Sequence, residues 1–543
     1  MRRTLAVIAV ACFVATAAAL GQAPGGPVQT PTFRADTRLI EVSVLVHDRN
    51  GRPVAGLTRD DFTLLEDGKT HPIDFFSVET SAGGDAGPAG LAERAAPPAG
   101  AAGEFSNRPQ RGLSGGVTAI LFDRVNTTLA DQNQARSQIA KFLQQIRPED
   151  RVALYSLDTS TVRILHDFTS SSASLLRALS WPLGADRPPE DPDVAAWISR
   201  TTETMSQQLT QDRVGVTMDA LIAIAAHLAG TRGRKSLIWV SSGVPFRVRD
   251  ETMAIPVARA ARAIDDANIA IYPVDARGLV TTGVAPAETM PELSAMKGQV
   301  TSKPVLPERG VAQTVPNFET MKALAEYTGG RAFINSNAIA TAIRSAIDDS
   351  RLTYVLGYYP SRDKLDGSFR RITIKVNRPG VDVRHRSGYR AFPAFAKTSA
   401  QPNDDLLAEA RSPLAAAGLG VTVHASPAAT SAGNSHEVAL AIHVDPDALS
   451  IWKDGDGWSV SLALAFTQSA PDGHFVKTTL GNVDVQVPAA RYEQITTKGF
   501  SFERNVTLAE TADELHVVLR DAGSGAMGSV IIPLSDLKST SRH

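Results

Sequence analysis

The chain has 543 residues and a single cysteine, Cys12. One thiol excludes an intramolecular disulfide and a cysteine-built metal cage, and its place near the start excludes thiol catalysis once a leader is removed. Excess charge of either sign is also missing. Lys and Arg number 55 against 57 Asp and Glu, a formal net charge of -2, which gives no electrostatic case for nucleic acid or an anionic membrane as partner. After the first twenty residues no run is long and apolar enough to read as a transmembrane helix. The short enzymic signatures are absent too: no HExxH, no GxSxG, and no GxxxxGK followed by Ser or Thr. The 11 histidines are scattered, and His47, His71 and His166 have no partner at a readable spacing. What is present is an ordinary folded composition, 43% hydrophobic and 21% charged, in a chain too long for one core. About three domains are expected.

The start reads as a targeting segment. Arg2 and Arg3 precede an apolar run from Leu5 to Leu20, and Ala17, Ala18, Ala19 and Gly21 offer small-residue cleavage points. Residues 1–23 are therefore read as a signal peptide, with a periplasmic or secreted destination. An uncleaved anchor would need a longer apolar run. A lipoprotein would need Cys12 at the cleavage point, with leucine rather than Ala9 three positions upstream.

Residues 33–79 alternate Ile40, Val42 and Val44 with polar neighbours, then place turns at Asn50-Gly51 and Asp67-Gly68. That pattern predicts a small antiparallel β module. Asp60, Asp61, Glu66 and Asp67 lie beside its turns, where a structural use is commoner than a calcium site. Residues 80–115 are dominated by Gly, Ala and Pro and read as a flexible linker. From 116 to 350 strand-like and helix-like segments alternate, which argues a mostly parallel sheet covered by helices on both faces. Residues 182–215 and 280–317 read as insertions into it. Residues 351–392, with Tyr354, Tyr358 and Tyr359, read as a β extension, and 393–432 as a second linker. Six strand signals within 433–540 predict an antiparallel β sandwich. Asp454 and Asp456 have the spacing that opens a calcium loop, but Trp458 and Ser459 break it.

The stretches FDRVNT, VTMDALIAIAAHL, RKSLIWVSSG, NIAIYPVDARGL and MKALAEYTGGRAF, in that order, resemble a von Willebrand factor A domain. With RNGRPVAGLTRDDFTLLEDGK before them and YVLGYYP and DGSFRRITIKVNRPGVDVRHRSGY after, the chain is more closely similar to exported A-type-related proteins of acidobacteria. The resemblance covers roughly 33–391. It implies an α/β, Rossmann-like A domain flanked by the N-terminal β module and the C-terminal antiparallel β sandwich. It also implies a divalent-ion-dependent adhesion site, patterned Asp-x-Ser-x-Ser, then a loop Thr, then a second Asp.

Carried onto this sequence, the first acid is Asp123 and the serine positions fall on Val125 and Thr127. The loop threonine is Thr217, and the second acid falls on Ser242. Asp123, Thr127 and Thr217 could offer three oxygens to Mg2+ or Mn2+, an ion that wants about six. Val125 offers none and Ser242 lacks the charge, so the site departs from its pattern. Asn126, Asp212 and Asp219 stand nearby as substitutes, although Asp219 equally fits a first helical turn. Asp123 equally fits a strand-end acid that caps the next helix or loop. Asp275 and Arg277 read as an ion pair between loops. Two function classes follow. The first is an exported, non-catalytic binding or adhesion protein with a protein or cell-surface partner, recognised through loops at the carboxyl end of the sheet. The second is an exported enzyme or accessory subunit using the same face.

Overall fold

The computed structural model describes residues 39–80, 103–108, 116–158, 161–180, 202–231, 233–243, 254–277, 318–335, 339–349, 351–360, 368–391, 402–427, 437–454, 457–535 and 537. The signal-peptide expectation and the 280–317 excursion lie outside them.

The first strand, β1 (Ile40–Asp48), buries both faces. Val42, Val44 and Val46 enter a β core, and on the other face the Ser43 hydroxyl meets the Asn268 amide. A 3-10 turn follows, closed by Asp61, whose carboxylate accepts from the Thr58 backbone N–H at 2.7 Å. Then come β2 (Phe62–Glu66), β3 (Lys69–His71) and β4 (Phe75–Thr80). The β2–β3 hairpin turns on Asp67 and Gly68, with φ of 47° and 81°, the two left-handed positions that a tight hairpin needs. The acids weighed as a calcium site thus close turns or, for Glu66, enter the core.

A short strand, β5 (Glu104–Ser106), precedes β6 (Val117–Asp123), which is buried at every position. Thr128 caps α1 (Leu129–Leu143) by accepting from the Asp131 N–H. The chain continues through β7 (Val152–Leu157), β8 (Val162–Thr169), α2 (Ser172–Ser180), α3 (Thr202–Leu228), β9 (Lys235–Ser241), α4 (Ala254–Asp266), β10 (Ile269–Asp275), α5 (Phe318–Thr328) and α6 (Ile339–Asp349). The sheet order is β10-β9-β6-β7-β8. Leu121, Trp239 and Ile271 face a cluster with Leu221, Ile224 and Ile264 of α3 and α4. Ile120, Phe122 and Ile238 face Ile139, Leu175 and Ile343 of α1, α2 and α6. Both faces of the strands are therefore apolar, as in any sheet covered twice. Residues 202–215, read as part of an insertion, belong to α3, which runs unbroken for 27 residues; 181–201 are outside the described residues. Asp219 is accordingly mid-helix and exposed, not in a first turn. Phe333 forms a single parallel bridge with Val274 at the edge of this sheet.

The next strands, β11 (Leu352–Tyr358), β12 (Phe369–Val376), β13 (Val381–Arg384) and β14 (Gly388–Arg390), do not extend that sheet. They interleave with the first four, in orders β13-β1-β11-β4 and β14-β12-β2-β3, every pair antiparallel. The physical reason is the alternation of Tyr354, Leu356 and Tyr358, fully buried on the face that meets Val42, Val44 and Leu64. Tyr354 and Tyr358 are core residues; Tyr359 is exposed.

The last unit contains α7 (Pro402–Ala410), β15 (Val421–Pro427), β16 (Glu437–Val444), β17 (Trp452–Asp454), β18 (Gly457–Ser469), β19 (Phe475–Val487), α8 (Ala489–Lys498), β20 (Phe500–Thr507), β21 (Glu514–Asp521) and β22 (Met527–Pro533). Its sheets, β20-β16-β15-β5 and β17-β18-β21-β22 with β19 beside β18, enclose one apolar cluster. Both stretches read as linkers give it a strand. A connector ties it to α3: the Ala417 N–H donates to the Ala226 carbonyl at 3.0 Å, and His227 meets the Ala415 carbonyl at 2.8 Å.

The expectation of an α/β, Rossmann-like chain with a mostly parallel sheet is corrected by this pairing. Among the described residues, parallel ladders are confined to β10–β9, β9–β6 and β6–β7. Even in that sheet β8 is antiparallel, and the other four sheets are antiparallel throughout. Parallel neighbours need a crossover of a dozen or more residues, which the helices supply only between 117 and 275; elsewhere the chain returns by hairpins or by pairing distant strands antiparallel.

Candidate functional site

β6 ends in Asp123, and with it end β9 at Ser241 and β10 at Asp275, so three loops meet at one edge. Asp123 is fully buried. Its Oδ1 accepts from the Asn126 backbone N–H at 2.9 Å. Its Oδ2 accepts from the Asn126 side-chain amide at 2.8 Å and from the Trp239 indole at 2.9 Å. The same amide reaches across to Thr217 Oγ1 at 2.9 Å, and that hydroxyl donates to the Arg213 carbonyl one helical turn back. Thr127 donates its hydroxyl proton to the Asp123 carbonyl and accepts from the Ser242 N–H at 3.2 Å. Burial pushes the Asp123 carboxyl up from the usual range, opposed by the hydrogen bonds from Asn126 and Trp239.

The structure therefore brings Asp123, Thr127 and Thr217 together, with Asn126 at their centre. Val125 turns away into the apolar cluster beneath α3, and the Ser242 hydroxyl donates to Asp131 at 2.9 Å. Asp219 is exposed, and the Asp212 side chain is outside the described ones. Asp275 is held by its own loop: Arg277 grips both oxygens, at 2.9 and 2.8 Å. Arg124, beside Asp123, is paired with Asp158 at the end of β7. Leu129, the first residue of α1, stands at this edge 72% exposed.

A magnesium-like ion would need the lone pairs of these oxygens. Here the lone pairs of Asp123 face N–H groups, which repel a cation, and Val125 contributes no oxygen. The residues in this arrangement do not fit such an ion. Among the described residues, no three His, Cys, Asp or Glu side chains gather as candidate metal ligands.

Two features escaped the sequence reading. Trp239 was visible only as an aromatic within an apolar strand. Its role follows from register, because it pairs with Leu121 and so lies diagonal to Asp123. The second is a row on β16 and β20: Ser501 Oγ contacts His443 Nδ1 at 2.9 Å, and His443 Nε2 lies 3.6 Å from Asp445. His443 and Ser501 are cross-strand partners, a relation that sequence distance hides. Burial would raise the Asp445 carboxyl, but hydrogen bonds from His443 and Arg108 hold it below the usual range. Arg108 occupies both Asp445 oxygens.

No family model matches the chain, and no curated protein matches it. Among solved structures, an aerotolerance-related membrane protein from Bacteroides fragilis shares 17% identity, covering 43% of this chain and 99% of that one, with a TM-score of 0.26. The SpRpn10 VWA domain shares 14% identity over 30% of this chain and 74% of that one, with a TM-score of 0.16. The ArnB paralog VWA2 from Sulfolobus acidocaldarius shares 10% identity over 88% of this chain and 78% of that one, with a TM-score of 0.21. The likeness to VWA-type domains is weak and partial. Among the described residues, no helix is long and apolar enough to cross a membrane.

Proposed function

We propose that the chain is an exported binding or adhesion protein that recognises a protein or cell-surface partner through the loops after β6, β9 and β10. The observation that carries this reading is the contrast at that edge. Leu129 is 72% exposed, while the ionisable groups beside it are already committed: Asp123 to Trp239 and Asn126, Asp158 to Arg124, and Asp275 to Arg277. A polar floor whose described groups are already hydrogen-bonded, with an exposed apolar side chain beside it, suits recognition, since those groups need not reorganise when a partner arrives. Proton transfer would instead want an acid or base free to exchange. The leader-like residues 1–23 supply the export part of the proposal.

The test uses the purified chain and envelope preparations from the organism that encodes it. Saturable binding should weaken about tenfold or more in Leu129→Asp. It should persist in Phe475→Asp, a change at a residue 49% exposed on the distant β19. Binding that both substitutions weaken equally, or that Leu129→Asp leaves intact, would overturn the proposal. A hydrolytic reading rests on the Ser501–His443–Asp445 row, and covalent labelling of Ser501 by a serine-directed phosphonate would establish it.

A further inference from the structure

We infer that the Asn126 side-chain amide takes the place of a divalent cation, so that the loops around Asp123 are locked without any ion. This rests on the site's geometry alone and not on the binding proposal. An ion at such a position does one mechanical job: it draws the strand-end acid and the helix hydroxyl toward one point. Asn126 Nδ2 does that job with two N–H groups, one to Asp123 Oδ2 at 2.8 Å and one to Thr217 Oγ1 at 2.9 Å. An amide has two such protons, and both are used.

The orientation of the amide follows from its partners. An ionised carboxylate only accepts, and the Thr217 hydroxyl proton is already given to the Arg213 carbonyl, so an amide oxygen turned toward them would meet no donor. Asn126 Oδ1 consequently points away, and it is buried with no hydrogen-bond partner among the described residues. Leaving a buried oxygen unpaired is costly, which measures how strongly the two N–H contacts are favoured. The remaining positions agree. Trp239 donates to the same carboxylate, Ser242 supplies a backbone N–H to Thr127, and Val125 packs into the core. Each departure from the adhesion-site pattern thus replaces an ion contact by a hydrogen bond or by apolar packing.

The inference makes Asn126→Asp the decisive change. It keeps the shape but turns the bridging donor into a second carboxylate against Asp123, and two carboxylates at that separation repel unless a cation lies between them or one of them keeps a proton. Thermal melts of the full chain at pH 8 are compared in EDTA, MgCl2 and MnCl2. The wild type should melt at the same temperature in all three, to about 1 °C. Asn126→Asp should lose about 5 °C or more in EDTA and regain at least half of it in MnCl2. The inference is overturned by a wild type that either ion stabilises reversibly, by an Asn126→Asp chain that melts like wild type in EDTA, or by one that neither ion rescues. Should the variant not fold, calorimetric titration of the wild type with MnCl2 decides: no heat upholds the inference, and saturable heat overturns it.

Discussion

The indole N–H of Trp239 reaches the carboxylate of Asp123 at 2.9 Å across two neighbouring parallel strands, with both side chains excluded from solvent. A buried carboxylate depends on its donors, because each lost hydrogen bond exposes an oxygen to an apolar surround. Trp239→Phe removes one of the donors to Asp123 and leaves a small cavity. We expect it to cost about 2–4 kcal/mol in urea unfolding. A double-mutant cycle with Asp123→Asn should show a coupling of about 1 kcal/mol or more. Strictly additive losses would mean that the contact carries no energy.

Two glycines are predicted to behave oppositely on replacement by alanine. Gly330 follows the helix-ending Gly329, whose φ is 73°, and a Cβ on Gly330 would sit 1.9 Å from the Ile271 carbonyl oxygen. Backbone must move to admit it, so Gly330→Ala should destabilise by about 2–4 kcal/mol. Gly215 lies inside α3 with open space where its Cβ would go. Gly215→Ala should stabilise by about 0.5–1 kcal/mol. Chemical denaturation of both variants checks the pair, and equal signs would refute the packing argument.

How much of this was legible beforehand depends on the range of the interaction. Local signals worked: the apolar run before Asp123 is β6, and the turn at Asp67-Gly68 is a hairpin. Pairing between distant segments was not legible. Nothing near Tyr354 says that it faces Val44 rather than the sheet just completed, and Glu104–Ser106 is too short to announce that it pairs with Val421–Pro427. At the site, Asp123, Thr127 and Thr217 were found by pattern. Asn126 was seen as a substitute ligand, whereas its amide proves to be the donor that joins the other two. The sign of that contact depends on which end of a planar amide faces the acid, and only three-dimensional neighbours decide it.

Glu66 should be the costliest single side chain to delete in the first β unit. Its carboxylate is buried and accepts from Tyr358 at 2.7 Å, Arg370 at 2.7 Å and Tyr389 at 3.2 Å, joining β2, β11, β12 and β14. Burial and the Glu66 charge push Tyr358 well above the usual phenol range, and Tyr389 up to about 12, so both stay donors at any working pH. Glu66→Ala leaves a buried guanidinium without this acceptor and should cost about 3–5 kcal/mol. Glu66→Gln keeps one acceptor oxygen and should cost less. Thermal unfolding would contradict this if the two variants were equally stable.

Glu409 makes the stability of the chain depend on pH in the direction opposite to most surface carboxylates. It lies at the end of α7, buried, with its carboxyl accepting from the Ala416 N–H at 3.1 Å and the Ser529 hydroxyl at 3.0 Å. Burial pushes its pKa up from 4.5 to about 8, only partly offset by these two neutral donors. The folded state therefore holds a proton that the unfolded chain releases near pH 4.5. The associated stability is fully present below about pH 4.5, falls as pH rises, and is gone above about pH 8. The slope is at most about 1.4 kcal/mol per pH unit. Glu409→Gln is neutral at every pH and keeps the acceptor oxygen, so subtracting its unfolding free energy from that of the wild type cancels the other titrating groups. The difference should favour the wild type most near pH 5 and shift by several kcal/mol toward the variant by pH 8. Urea unfolding at half-unit steps between pH 4.5 and 8.5 measures it. Parallel curves would show that Glu409 ionises equally easily in the folded and unfolded chain, and that its burial at the end of α7 does not control its charge.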